Sequence, residues 1–332
     1  MELHLTVGSS PHIKAKHTTT SIMRDVLIAL APAAVMGIIF FGWRALVNIV
    51  VAMATCVLTE YIWNRAMKKR QTVGDLSAAV TGLLLALTVS SGTPFWMLII
   101  GGVFAIVLVK QIFGGIGMNF LNPALAARAV MMASWPTAMT TWLVPQWLSG
   151  ANAGIDAVSG ATPLAIQKLI IRQTEGVTSA MLPSLKDLFL GNIYGSIGET
   201  CALALLLGFA YLLVRKIISW EIPVVFCGSA VLLSWILGLD PLFNLLSGGM
   251  LIGAIFMASD YTTSPMTRVG KVIYAAGGGL ISIVIRVFGG YPEGVSYAIL
   301  LMNLVVPLID KMTKPRSFGR VKEERQHKEV KA

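Results

Sequence analysis

A threonine in a long polar stretch, Thr162, stands where its hydroxyl group could carry a phosphoester. Pro163 follows it, and then an apolar run, 164–172, with the spacing of a helix. Threonine before proline is a common helix start, because the threonine oxygen accepts from free backbone N–H groups and proline has none to satisfy. Those N–H groups and the helix dipole also favour a bound phosphate. The sequence therefore predicts a helix capped by Thr162, which serves either as an ordinary cap or as an anchor for a phosphate-bearing group.

The residues before Thr162 favour an anchor. Residues 156–162 have the sequence D-A-V-S-G-A-T, which resembles the signature D-x-x-[ST]-G-A-T at which a flavin transferase esterifies FMN to the threonine through the flavin's phosphate. At ordinary residue frequencies, a chance match is expected in roughly one in a thousand chains of this length. Gly160 and Ala161 leave the hydroxyl open to a modifying enzyme. Asp156, Ser159, Gly160 and Ala161 complete the predicted flavinylation motif.

The composition of the chain around this motif is that of a membrane protein. Of its 332 residues, 55% are hydrophobic and only 13% are charged, whereas soluble domains average about 25% charged residues. The mean hydropathy is +0.75. The apolar residues come in repeated blocks, and a helix needs about 20 residues to span a bilayer. The sequence therefore predicts an all-α polytopic membrane protein.

Ten apolar blocks are the predicted transmembrane helices, and a polar stretch, 135–193, separates the first five from the second five. This divides the chain into an N-terminal segment 1–21, a first set 22–134, the polar loop 135–193 bearing Thr162, a second set 194–310 and a basic tail 311–332. The predicted spans are 22–41, 45–63, 76–90, 95–113 and 119–134, and then 195–214, 222–237, 242–258, 272–288 and 294–309.

The two sets of spans show internal similarity. Residues 82–94 and 249–265 both begin with glycine and end with proline, and residues 112–115 match 287–290. Because each set has an odd number of spans, the second would be inverted relative to the first. Inverted repeats with interrupted helices indicate a site near the membrane midplane. The frequency of small residues in membrane helices would account for the similarity without a repeat.

The distribution of charge predicts the orientation. The net charge is +10, four basic residues lie within 65–70, and eight follow Asp310. Basic loops beside apolar spans lie on the cytoplasmic side of a membrane, so these clusters do not indicate a nucleic-acid partner. Ten crossings place both termini in the cytoplasm and the Thr162 loop outside it.

A break in the first set of spans could form a pocket. Asn119 and Asn122 precede Pro123, and three glycines lie just before them. Unwound backbone at membrane depth is tolerated only where it is buried or lines a cavity. We interpret this segment either as a midplane pocket for a second, noncovalent flavin such as riboflavin, or for the transported ion, or as a re-entrant packing element.

Three polar residues are candidates for an ion path. Asp260 and Thr262 follow an apolar run in a segment that ends at a proline, and Glu293 lies in the turn before the last span. Carboxylate and hydroxyl oxygens are the ligands that a small hard cation prefers. The alternative is that Asp260 caps a helix, as aspartate beside threonine and serine commonly does.

Cofactor chemistry beyond a flavin is not encoded by this chain. Its three cysteines are widely spaced, without the C-x-x-C pattern of an iron–sulfur site. Its glycine clusters lie in apolar blocks rather than in the strand–turn–helix unit that binds a dinucleotide. No metal site is predicted, and NADH and iron–sulfur clusters would have to bind to partner subunits.

Four stretches together carry a resemblance to one family: residues 113–129, 159–162, 257–265 and 291–303. They resemble the RnfD/NqrB family of membrane proteins. Its RnfD members belong to the Rnf ion-translocating electron-transport complexes, and its NqrB members, the nearest alternative, belong to the sodium-pumping NADH:quinone reductases. The resemblance covers nearly the whole chain, and the chain length and basic tail favour the Rnf type.

The resemblance implies a fold of two inverted five-helix repeats, similar to urea transporters, in the bacterial inner membrane. It implies electron transfer between ferredoxin and NAD, coupled to Na⁺ or H⁺ movement, with FMN covalently bound to Thr162. It also implies a flavin transferase for maturation, and partner subunits that include iron–sulfur, NADH-binding and second flavin subunits. The alternative from another class is a channel or transporter without a redox role, for which residues 156–162 would have no function.

Overall fold

The computed structural model describes residues 18–143, 145, 160–173, 178 and 181–314, which form helices joined by irregular segments. Asp156 and Ser159 of the predicted motif lie outside the described residues. In chain order the helices are α1 (Thr19–Phe41), α2 (Trp43–Ala66), α3 (Ser77–Leu87), α4 (Phe95–Phe104), α5 (Pro123–Ser134), α6 (Pro136–Met139), α7 (Pro163–Ile171), α8 (Leu185–Leu190), α9 (Ala202–Val214), α10 (Glu221–Ile236), α11 (Pro241–Leu246), α12 (Met250–Ile252), α13 (Arg268–Phe288) and α14 (Val295–Thr313).

Two of these helices continue with π-helical geometry, α4 through Ala105–Gln111 and α12 through Gly253–Met257. Side-chain caps fix several helix starts. The hydroxyl of Thr18 accepts from the backbone N–H of Ser21 at 3.2 Å before α1, and that of Thr267 accepts from Gly270 at 3.0 Å before α13. Such caps satisfy N–H groups that have no partner within the helix.

Within the described part of the chain, α1, α2, α13 and α14 are long and apolar enough to cross a membrane. Shorter apolar helices correspond to four more predicted spans: α3, α4 with its π-helical continuation, α9 and α10. All of these helices except α3 expose large apolar side chains, as a lipid-facing surface would. The structure thus supports an all-helical polytopic membrane protein, and the arrangement of ten spans as inverted repeats remains a prediction.

Two short helices are buried along their whole length, and each is followed by a break. They are α3 and the segment formed by α12 with its π-helical continuation. Backbone groups after α3 are satisfied from the other half of the chain, since the carbonyl oxygens of Leu87 and Val89 accept from Gly198 at 2.8 Å and Ile197 at 3.1 Å. The side-chain amide of Asn48 donates to Ser91 at 3.2 Å. These three carbonyl groups, at the end of α3 and after it, are therefore paired, as an apolar environment requires.

The predicted eighth span, 242–258, is not continuous. Asp240 caps α11 by accepting from Leu242 at 2.9 Å. The helix ends at Leu246, because Ser247 is extended and Gly248 has a φ of 63°, a conformation that glycine adopts without strain. The chain becomes helical again at Met250. Apolar residues continue on both sides of the break, which is why hydropathy does not detect it. The predicted fifth span also becomes helical only at Pro123.

The packing of α3 on α2 leaves no room for a side chain at Gly82. A Cβ atom at this position would lie 2.7 Å from the carbonyl oxygen of Ala52. We expect Gly82→Ala to destabilise the protein by about 1–3 kcal/mol, because one helix must move away from the other. Thermal unfolding in detergent measures the loss. Gly228→Ala on α10 is the control, since, apart from its own helical turn, no described atom lies within 4 Å of the added methyl group. Equal losses in the two variants would contradict the close contact.

Candidate functional site

Thr162 begins α7, and the helix predicted after it is present. Its side-chain oxygen accepts from the backbone N–H of Ala165 at 3.2 Å, and Pro163 occupies the first helical position. The residue is 4% exposed, so in the described structure it is buried, and the expectation of an open hydroxyl beside Gly160 and Ala161 is wrong. The hydroxyl therefore lies at the N-terminal end of a nine-residue helix, where backbone N–H groups and the helix dipole stabilise negative charge.

A small cavity beside Thr162 is formed by segments far apart in the sequence. Gly160 passes close to its rim, because a Cβ atom there would lie 2.5 Å from the ring of Tyr194. The glycine of the predicted motif is thus required by the path of the chain past an aromatic ring. The cavity is lined mainly by Thr162, Leu164, Tyr194, Glu199, Thr200 and Glu293.

A cluster of buried charges adjoins this cavity. Arg128 of α5 is 4% exposed and donates to the carboxylate of Glu293 and, at 2.6 Å, to the hydroxyl of Ser296. Its Nη1 atom also lies 3.7 Å from Oε1 of Glu199. Both carboxylates line the Thr162 cavity, so the predicted anchor lies beside charges contributed by both halves of the chain.

Lys168 connects α7 to the turn that carries Glu293. Its ammonium group donates to the carbonyl oxygens of Gly289 at 2.5 Å and Tyr291 at 2.9 Å. Burial lowers the pKa of Lys168, and the nearby positive charge of Arg172 lowers it further. The two carbonyl bonds compensate for part of the lost hydration. Thr162 and Glu293 are therefore held in one local structure.

A second, larger cavity of about 90 Å³ brings together two predicted sets of residues. Asn119, Asn122 and Pro123 line it together with Asp260 and Thr262. The side chain of Asn122 caps α5 by accepting from Ala124 at 3.1 Å. Among the described residues, the side-chain oxygen of Asn119 has no hydrogen-bond partner although it is buried. The pocket residues and two of the three ion-path residues thus share one cavity.

Asp260 does not cap a helix. One of its carboxylate oxygens accepts from the hydroxyl groups of Thr262 at 2.9 Å and Thr263 at 3.4 Å, which closes a tight turn. The helix that follows, α13, is capped by Thr267 instead. Glu293 lies apart from Asp260, in the Thr162 cavity. The three residues proposed for an ion path therefore belong to two different cavities.

A comparison of sequences decides the family. Residues 6–319 match the profile of the NQR2, RnfD, RnfE family. The chain belongs to this family. The family expected from residues 113–129, 159–162, 257–265 and 291–303 is thereby confirmed.

Relatives from three bacteria, all RnfD proteins, are similar over nearly the whole chain. Identity is 49% over 321 residues, 96% of each chain, to the RnfD protein of the Na⁺-translocating ferredoxin:NAD⁺ oxidoreductase complex of Acetobacterium woodii. It is 45% over 325 residues, 95% of this chain and 96% of the relative, to that of the proton-translocating ferredoxin:NAD⁺ oxidoreductase complex of Clostridium ljungdahlii. It is 36% over 347 residues, 94% of this chain and 98% of the relative, to that of the ion-translocating oxidoreductase complex of Escherichia coli.

The structure of this family member also contains an ion pair that the sequence analysis did not identify. Glu60 and Lys110 are 0% and 1% exposed, and Lys110 donates to Glu60 at 2.9 Å and to Ser77 at 2.6 Å. Gln111 donates to the other carboxylate oxygen at 2.9 Å. Lys110 and Ser77 line the larger cavity. The signal in the sequence was one acidic and one basic residue within apolar blocks, which are costly unless paired.

Proposed function

We propose that this chain is the flavin-carrying membrane component of a redox-driven ion pump. It would relay electrons between ferredoxin and NAD within an oxidoreductase complex that moves Na⁺ or H⁺. The observation that carries this proposal is the match to the family over residues 6–319, joined by relatives whose names state ferredoxin:NAD⁺ oxidoreductase activity. One of these relatives is named for sodium and the other for protons, and their similarity to this chain does not favour either ion.

The Thr162 cavity could receive the phosphate and ribityl end of FMN attached through its phosphate. The phosphate would lie at the N-terminal end of α7, near the N–H group of Ala165 that Thr162 now caps. Among the described residues, Oε1 of Glu199 and the hydroxyl of Thr200 are buried without a hydrogen-bond partner, and both line the cavity. They could bond to the ribityl hydroxyl groups of the flavin. The sequence match at Asp156 and Ser159 supports the same site.

The residues of the chain would anchor and surround the cofactor. Bound FMN supplies the capacity to accept and donate electrons. Thr162 is a tether without a redox role, and α7 stabilises the negative charge of the phosphodiester. Gly160 allows the motif to pass Tyr194, while Lys168 fixes α7 to the turn at 289–291.

The larger cavity is proposed to bind a second, noncovalent flavin such as riboflavin, or the transported cation. Its apolar walls suit an aromatic ring system. The unpartnered oxygen of Asn119 and the oxygens of Asp260 and Thr262 suit hydroxyl groups or a small cation. Asn122 and Pro123 start α5 beside them. Because Glu293 lines the Thr162 cavity, it would contribute to an ion path only where that path passes this cavity.

Ten spans in two inverted five-helix repeats, similar to urea transporters, would place these cavities at opposite sides of the membrane. The two fully buried helices followed by breaks support such repeats. The basic loops would face the cytoplasm of a bacterial cell with both termini, and Thr162 would be extracytoplasmic. Partner subunits would carry iron–sulfur clusters, NADH and another flavin, and a flavin transferase would load Thr162.

The function is tested in membrane vesicles that contain the complete complex. NADH formation from reduced ferredoxin and cation uptake are measured together. We expect Asp260→Asn to reduce uptake severely and to retain electron transfer, because a neutral amide binds a cation more weakly than a carboxylate does. The control is Asp240→Asn, which retains a good helix cap on α11 and lies outside the larger cavity.

The outcomes separate the alternatives. Electron transfer that persists after deletion of this chain would contradict a role as a redox relay. Cation flux without any dependence on ferredoxin or NAD⁺ would favour a channel, and reduction of a quinone in place of NAD⁺ would favour the NqrB type found in the NADH:quinone reductases. Unchanged uptake in Asp260→Asn would remove Asp260 from the ion path.

A further inference from the structure

Glu199 places a carboxylate oxygen without a hydrogen bond inside the Thr162 cavity. The residue is 3% exposed, and among the described residues its Oε1 atom has no hydrogen-bond partner. A Cβ atom on Gly249 would lie 2.7 Å from this oxygen. The carboxylate therefore occupies space that is free only because residue 249 is a glycine. A buried carboxylate oxygen is costly unless a partner satisfies it. The arrangement therefore indicates a ligand that donates to Glu199.

The neighbouring cations are already engaged by other acceptors. Arg128 donates to Glu293 and Ser296, and its distance of 3.7 Å from Oε1 of Glu199 is too long for a hydrogen bond. Arg286 donates to the carbonyl oxygens of Asn244 at 2.5 Å and Ser247 at 3.0 Å. When it is ionised, Glu199 thus contributes negative charge to the cavity that is only partly balanced.

A second unsatisfied group lies next to Glu199 along the chain. The hydroxyl of Thr200 is also buried without a partner among the described residues, and Thr200 lines the same cavity as Thr162 and Glu199. The carboxylate of Glu199 can accept a hydrogen bond, and the hydroxyl of Thr200 can donate or accept one. Together they suit a chain of several hydroxyl groups, each of which can donate and accept.

We propose that Glu199 contacts the flavin carried on Thr162 and that its charge lowers the midpoint potential of that flavin. This inference rests on the proposed covalent attachment. A hydroxyl or N–H group of the flavin donates to Oε1 of Glu199, with Thr200 beside it. An electron added to the flavin is disfavoured by a negative charge in a buried cavity, where water screens it little. Glu199 is thus a positioning and tuning residue of the site, and Arg128 limits the size of its effect.

The test is a spectroelectrochemical titration of the full-length chain, loaded by a flavin transferase, purified in detergent and held at alkaline pH so that carboxyl groups are ionised. We expect Glu199→Gln to raise the ratio of reduced to oxidised flavin about tenfold at a given applied potential, which is ~59 mV for one electron. Glu199→Asp retains the charge and should stay close to the wild type.

The matched control is Asp187→Asn on α8. Asp187 accepts from the hydroxyl of Ser184 at 2.6 Å, and this hydrogen bond holds the pKa of its carboxyl below the usual value. It is ionised in the titration but does not line the Thr162 cavity, and its partly exposed charge is screened by water. Its substitution should leave the potential unchanged.

The outcomes are distinct. A wild-type chain without covalent flavin would contradict the proposed attachment itself. A loaded Glu199→Gln chain with the wild-type potential would overturn the role of Glu199, as would an equal shift in Asp187→Asn. If Glu199→Gln does not fold, Gly249→Ala is used, since its methyl group displaces the carboxylate and retains the charge. An unchanged visible circular dichroism spectrum of the flavin in that variant would then overturn the contact.

Discussion

Replacing Thr162 with alanine is expected to abolish covalent flavin attachment. The wild-type chain, co-expressed with a flavin transferase and denatured, should fluoresce in a gel under ultraviolet light, and the Thr162→Ala chain should be dark. The reason is chemical, because the phosphoester needs the hydroxyl oxygen that now caps α7. Electron transfer through the complex should be lost together with the fluorescence.

A second substitution distinguishes the role of the Thr162 hydroxyl as the flavin attachment site from its role as the cap of α7. Loss of a threonine cap costs about 1 kcal/mol, so Thr162→Ala could also weaken α7. Thr162→Asn retains a strong helix cap and lacks the hydroxyl, so it should be dark with nearly wild-type thermal stability. Thr140→Ala removes a hydroxyl that, within the described part of the chain, bonds only to nearby carbonyl groups, and it should remain fluorescent. A fluorescent Thr162→Ala band, or a dark wild type with a transferase that is active on another substrate, would disprove the attachment site.

Breaking the ion pair between Glu60 and Lys110 is expected to have the largest effect on stability. Lys110→Met removes the only described cation within hydrogen-bond distance of Glu60, and loss of one partner of a buried pair costs about 3–5 kcal/mol. Thr72 and Gln111, which also donate to this carboxylate at 2.6 and 2.9 Å, cannot replace the positive charge. Denaturation in detergent, followed by circular dichroism, measures the free energy of unfolding.

Removing the charge of Glu60 as well should recover most of the stability lost in Lys110→Met. In the double variant Lys110→Met with Glu60→Gln, no buried charge remains unpaired, and such replacements are often nearly neutral. Arg268→Met is the comparison, because the side chain of Arg268 is 91% exposed in its ion pair with Glu221 and exposed pairs contribute little. A double variant as unstable as Lys110→Met would show that shape rather than charge is decisive at this position.

Local features of the fold were predictable from the sequence. The helix after Thr162 follows from a cap, a proline and an apolar run within ten residues, all of which act over one or two helical turns. The start of α5 at Pro123 follows from the same rule, with Asn122 as the cap. Most apolar helices correspond to hydropathic blocks, since burial in lipid depends on composition more than on detailed contacts.

Features that depend on distant residues were not predictable. Hydropathy does not detect the break at Ser247 and Gly248, because one extended residue and one residue of positive φ end a helix without any change in polarity. Asn119 and Asp260 were identified separately, but only the folded chain places them in one cavity. The cluster of Arg128, Glu199 and Glu293 likewise joins segments that no local pattern relates.

The pairing of Arg128 has a consequence for the biogenesis of the protein. The groups that accept its hydrogen bonds, on Glu293 and Ser296, follow it by 165 and 168 residues. At translation rates of about 5–20 residues per second, they leave the ribosome roughly 8–34 s after Arg128 does. During this interval the guanidinium group lacks these acceptors and has only its longer contact with Glu199, and an incompletely paired arginine in a bilayer is costly. Integration of α5 is therefore completed only after the ribosome has passed the beginning of α14, so that membrane insertion of this protein finishes late in its own synthesis.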